Sequence, residues 1–93
     1  SGKYFVLKAY GDSMNGAGIE EDDLVIVRQQ EYAEYGQIVV AIDENYENTL
    51  KRYLYDKRLN RPYLHPQNPD YDDLYLDEIR IQGVAVKIIK NIK

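Results

Sequence analysis

Apolar positions along this chain come in short runs, each closed by Gly, Pro, Asn or Asp, and the spacing within the runs is that of strands. Tyr4 to Tyr10 is rich in aromatic and branched side chains and runs into Gly11, which predicts a strand entering a turn. After the acidic cluster Glu20 to Asp23, the run Leu24 to Arg28 predicts a short buried strand. Gln37 to Asp43 is continuously apolar at its centre, as expected of a central strand covered on both faces. Thr49 to Tyr55 resumes strand character, with Leu50 and Leu54 on one face and Thr49, Lys51 and Tyr53 on the other.

Asn60 to Asp73 holds all three prolines and predicts an irregular loop, with one short strand over Pro62 to His65. In Glu78 to Ile92, Gly83 precedes Val84, Val86 and Ile88 at alternating positions, which predicts one long strand with a single apolar face. Met14 to Ile19 has room for one helical turn, and no segment reads as an amphipathic helix. The expected fold class is therefore mostly β, a compact set of antiparallel strands with little helix.

Composition narrows the function. A chain of 93 residues has room for one domain and one core. The formal charge of −4 argues against a domain whose main task is neutralising phosphates, so DNA contact is expected to belong to a different domain. No apolar run approaches the roughly 18 residues that span a bilayer, and no secretory leader is legible, so no membrane is expected as a partner. Cysteine is absent, which removes disulfides, thiolate nucleophiles and thiolate metal sites and suits a reducing, cytoplasmic setting. Ten tyrosines against one Phe and no Trp fit half-buried strands whose polar tips reach water.

A serine that attacks a carbonyl needs a base and donors for the oxyanion. His65, the only histidine, sits in the Pro-rich segment with no evident serine partner, so a Ser/His/Asp triad has little support. Lysine is the remaining common base. The acidic clusters Glu20 to Asp23 and Asp70 to Glu78 lack the alternating ligands and central Gly of a Ca²⁺ loop and read as solvated turns, so no metal or cofactor is expected. Basic residues interleave with Tyr53 and Tyr55 between Lys51 and Arg61, a pattern compatible with gripping single-stranded nucleic acid, but the net charge makes this a minority reading.

Several ordered pieces resemble the catalytic domain of the self-cleaving LexA, phage-repressor and UmuD class. They are Tyr10-Gly11-Asp12-Ser13-Met14, Ile19 to Val27, Gly36-Gln37-Ile38-Val39-Val40-Ala41 and Thr49-Leu50-Lys51-Arg52. Leu64-His65-Pro66-Gln67-Asn68 is similar to that class's loop ending in Pro-x-Asn, and Ile81 to Val86 to its closing strand. Gly-x-Ser-Met and Leu-Lys-Arg each occur by chance; the ordered set across almost the whole chain is specific.

The resemblance implies a LexA-like, signal-peptidase-like β fold over residues 1–93, acting as a serine peptidase on its own chain. Ser13 would be the nucleophile, Lys51 the general base, and the backbone N–H groups of Asp12 and Ser13 the oxyanion donors. An upstream segment, cut at Ala-Gly or a similar small pair, would be the substrate. Ala17-Gly18 lies too close to Ser13 to serve and is expected to be a turn. A homodimer through the closing strand, a RecA filament on single-stranded DNA as trigger, and DNA contact through an N-terminal domain outside this chain are implied in the same way. The role would be that of an SOS or prophage repressor.

Physical chemistry makes two demands on such a site. Gly11 must permit a sharp turn that presents Ser13 and its neighbouring N–H groups. An ordinary lysine stays protonated up to about pH 10.4, so Lys51 needs desolvation by an apolar wall, for which Met14, the strand Val39 to Ile42 and the substrate are candidates. Two positions stand out against the class without removing a catalytic group: Asp22 stands where it often has Gly, and Asp12 where some members carry Met, though Asp is also usual. A carboxylate at Asp12 beside Ser13 would stabilise charged Lys51 and raise the pH that cleavage needs. Three alternatives stay open: a non-catalytic dimerisation or sensing module, a UmuD-like polymerase accessory protein, and a signal peptidase, for which no anchor is seen.

Overall fold

A computed structural model describes residues 2–92. Six strands form one antiparallel sheet: β1 (Tyr4–Lys8), β2 (Leu24–Gln29), β3 (Ile38–Ile42), β4 (Asn48–Asp56), β5 (Arg61–His65) and β6 (Arg80–Ile89), in the spatial order β1-β2-β6-β3-β4-β5. The mostly β expectation holds. The only helical element among the described residues is a 3-10 turn, Asn15–Ala17, and Gly18 closes it in the left-handed region at φ 81°, so Ala17-Gly18 is the turn expected.

The last strand to be made, β6, is inserted in the middle, between β2 and β3. Burial follows from that placement. Val25, Val27, Val40 and Leu50 pack with Ala9, Met14 and Ile19 on one face of the sheet. On the other, Val39, Ala41, Ile81 and Val84 pack with Leu64. Strand β3 supplies both clusters, which accounts for its continuous apolar run, and full burial of each such Val or Leu contributes about 1.5–3 kcal/mol.

One expectation needs correction. The alternation Val84, Val86, Ile88 does not make one apolar face, because β6 carries two bulges. Ile26 faces Lys87 and Val27 faces Ala85, leaving Val86 as the extra residue. Val40 faces Gly83 and Ala41 faces Ile81, leaving Gln82 extra. Each bulge reverses the side-chain alternation, so Ile81 and Val84, on either side of the bulge at Gln82 and an odd number of residues apart, serve the same cluster, while Ile88 and Ile89 stay exposed. Within residues 60–73 the short strand expected over Pro62 to His65 is β5, one residue longer, and Leu64 forms a further bridge with Leu74. His65 thus ends a strand and its Nδ1 lies 2.6 Å from Asp73 Oδ1.

Between the bulges β6 crosses β2 so closely that only glycine fits: a Cβ at Gly83 would meet the Arg28 carbonyl oxygen at 2.4 Å and Val27 Cγ1 at 2.5 Å. Gly83→Ala is expected to cost about 1–3 kcal/mol or more, read as a lowered urea midpoint.

The long excursion between β1 and β2 is pinched at its neck. Ala9 N–H donates to Asp23 O and Asp22 N–H to Ala9 O, each at 2.8 Å. Closing this neck places Asp22 in the left-handed region at φ 71°, a conformation that suits Gly. Asp22→Gly is expected to raise stability by up to about 1 kcal/mol, and Asp22→Val to lower it by about 1–2 kcal/mol, in thermal unfolding. Beside it, Asp23 is buried, accepts from Glu20 N–H at 2.8 Å and holds Lys90 Nζ at 2.5 Å. The acidic run is a structural turn tied to the end of β6.

Candidate active site

The pinched excursion carries Ser13 back over the start of β4. Lys51 lies on the same face of β4 as Thr49, two residues earlier, and the alternation that the sequence predicts sends both side chains toward the serine. Lys51 Nζ lies 3.2 Å from Ser13 Oγ and 2.7 Å from Thr49 Oγ1. The two residues that the sequence singles out, 38 positions apart, are within hydrogen-bond reach.

Lys51 is only 9% exposed. Burial pushes its pKa below the ordinary lysine value, and the negative charge of Asp43 partly offsets that. The wall is identifiable: Met14, 3% exposed, and Leu50 line the cleft with Lys51, and fully buried Val39 faces Lys51 across β3 and β4. The cleft has a volume of about 310 Å³ and is bounded further by Leu7, Ala9, Tyr10 and Ile19. Its lining is mostly apolar, and Ser13, Thr49, Lys51, Lys8 and Glu47 also line it.

The expectation for Asp12 is corrected in one respect. Its carboxylate accepts a hydrogen bond from Tyr71 OH at 2.5 Å, and the carboxylate that acts on Lys51 is that of Asp43. Asp43 sits where the β3–β4 hairpin closes, and its Oδ1 accepts from Asn45 N–H and Glu47 N–H at 2.8 and 3.0 Å. Among the described residues, the backbone N–H groups of Asp12 and Ser13 donate to no internal acceptor, whereas the Asp12 carbonyl is held. Gly11, at φ 70°, supplies the left-handed turn expected ahead of the serine.

Three contributors escape the sequence reading. Strand alternation puts Thr49 on the face of Lys51, and its position two residues before a strand lysine is the signal for a hydroxyl that fixes the amine. Asp43 becomes a neighbour of Lys51 only once the hairpin register is set. Asn68, within the Pro66-Gln67-Asn68 loop, donates from Nδ2 to the Asp12 carbonyl at 2.9 Å across 56 residues. His65 pairs with Asp73 and has no serine beside it. No group of three His, Asp or Glu side chains suited to a metal occurs among the described residues.

A neutral amine this close to a hydroxyl can take its proton, and free N–H groups next to that hydroxyl can receive an oxyanion. Known proteins resemble this chain over most of its length. The LexA repressor of Syntrophotalea carbinolica is 46% identical, over 98% of this chain and 45% of that protein. That of Staphylococcus carnosus is 41% identical over 95% of this chain and 42% of the protein, and that of Lacticaseibacillus casei 41% identical over 92% and 40%. The chain therefore spans less than half the length of these relatives. The model of the Peptidase S24-like family matches residues 1–86, and the chain belongs to that family.

Proposed function

We propose that this chain is the self-cleaving peptidase domain of a LexA-like transcriptional repressor, with Ser13 as nucleophile and Lys51 as general base. The observation that carries the reading is the 3.2 Å separation of Lys51 Nζ and Ser13 Oγ at a buried lysine whose pKa is lowered by desolvation. Neutral Nζ accepts the Ser13 hydroxyl proton as Oγ bonds to the scissile carbonyl carbon. The N–H groups of Asp12 and Ser13 receive the developing oxyanion. The Lys51 ammonium then protonates the departing amine, leaving an ester on Ser13. Water, giving its proton to Lys51, hydrolyses that ester and restores both groups.

Thr49 Oγ1 holds Nζ on the line toward Ser13, so that the amine needs no search before proton transfer. The substrate is an upstream segment of the same protein seated in the apolar cleft, where it completes the desolvation of Lys51 and so couples docking to chemistry. The relatives named as LexA repressors support a repressor role, with DNA contacted by a region outside this chain. Exposed Ile88 and Ile89 at the end of β6 suit a homodimer contact. A RecA filament is the trigger that this class implies, and the bacterial cytoplasm is the setting. No helix among the described residues is long and apolar enough to cross a membrane. The test is cleavage of a supplied upstream peptide, lost on Ser13→Ala and on Lys51→Ala.

A further inference from the structure

We infer that Asn68 is a positioning residue that aims the Ser13 N–H into the cleft by holding the other side of the same peptide unit. This rests on the Ser13–Lys51 reading and adds to it the part that organises the oxyanion donors. A trans peptide is planar, so the Asp12 carbonyl and the Ser13 N–H are rigidly coupled and point in opposite directions. Fixing the carbonyl fixes the N–H. Asn68 Nδ2 donates to that carbonyl at 2.9 Å, and Asn15 N–H reaches the same oxygen at a longer 3.2 Å.

Asn68 is equipped for this task. It is 8% exposed, and its Oδ1 accepts from Asp70 N–H at 2.9 Å, so both ends of the amide are used and its orientation is set. The loop that carries it is fastened to the nucleophile turn at further points. Gly16 N–H donates to Gln67 O at 2.8 Å, Gln67 N–H approaches Met14 Sδ at 3.4 Å, and a Cβ at Gly16 would meet Gln67 O at 2.4 Å. On the far side, Arg52 Nε donates to Gln67 Oε1 at 2.6 Å. Arg52 follows Lys51 directly, so one chain of contacts ties the base-bearing strand to the oxyanion turn.

The test compares the chain with Asn68→Ala and Asn68→Asp on a synthetic peptide carrying an Ala-Gly bond between apolar residues, with kcat and KM measured from pH 7 to 10. Asn68→Asp keeps the shape and the acceptor for Asp70 N–H, removes the donor and sets a negative charge against the Asp12 carbonyl, whereas Asn68→Ala removes the donor without adding charge. The expected result is a fall in the high-pH plateau of kcat of about 10- to 100-fold in both variants, with KM within about threefold. In Asn68→Ala the midpoint of the pH profile stays at the wild-type value, because proton affinity at Lys51 is not what the contact sets. If Asn68→Ala fails to fold, Asn68→Asp decides. A plateau within about twofold of wild type in a folded variant overturns the inference while leaving the dyad intact. A wild-type chain that cuts nothing overturns the dyad reading and this inference with it.

Discussion

Replacing Lys51 with Met is expected to abolish cleavage while making the domain more stable. The amine is the one base within reach of Ser13 Oγ among the described residues, and loss of a base that acts in concert with its nucleophile typically costs about 10⁴-fold or more in rate. Stability should move the other way. Lys51 is held at 9% exposure against an apolar wall, and an ammonium there gives up much of its hydration for two neutral hydroxyl partners. Met keeps the length and the packing without the charge, so a gain on the order of 1 kcal/mol is expected near neutral pH, read by urea unfolding. Ser13→Ala removes the nucleophile from a half-buried turn and should abolish cleavage with a stability change within about 0.5 kcal/mol. A purely structural pair would give the reverse pattern, with both variants less stable.

Cleavage is expected to climb with pH and to become faster at neutral pH when Asp43 is replaced by Asn. Desolvation lowers the Lys51 pKa and the Asp43 carboxylate raises it, so removing that charge lowers it further and increases the neutral fraction at pH 7. Below the pKa each pH unit multiplies the neutral amine, and hence the rate, about tenfold. Asp43→Asn should shift the whole profile to lower pH and speed cleavage several-fold at pH 7, with the plateau unchanged. Asn retains an Oδ1 for the Asn45 and Glu47 N–H groups, so the hairpin turn survives. The linked stability effect has a definite sign. Between the lowered folded-state pKa and the ordinary value of 10.5, the unfolded chain carries the lysine proton and the native chain does not, so stability rises with pH across that window and is flat below it.

Much of the molecule is legible in its apolar spacing, and what is not has a common cause. All six strands sit within runs that alternate or stay continuously apolar, and the central place of β3 follows from its unbroken Ile38 to Ile42. The two bulges of β6 are invisible, because a run such as Val84-Ala85-Val86 has no internal sign of where alternation reverses; only Gly83 hints at a close approach. At the site, Ser13 and Lys51 are found by resemblance, and strand alternation then gives Lys51 its direction. Asp43 and Asn68 act on the site through register and loop docking, which join residues far apart in the chain. Asp12, the carboxylate next to Ser13 in sequence, is engaged by Tyr71, whereas the carboxylate that influences Lys51 lies at a hairpin turn.

Whether Ser13 and Lys51 form a working peptidase is read from the mass of a supplied upstream peptide incubated with the wild-type chain and with Ser13→Ala and Lys51→Ala from pH 7 to pH 10. A single cut is expected, with a rate that rises with pH in the wild type and no cut in either variant. A peptide left whole by the folded wild-type chain at every pH, or cut equally well without Ser13 or Lys51, would contradict that expectation.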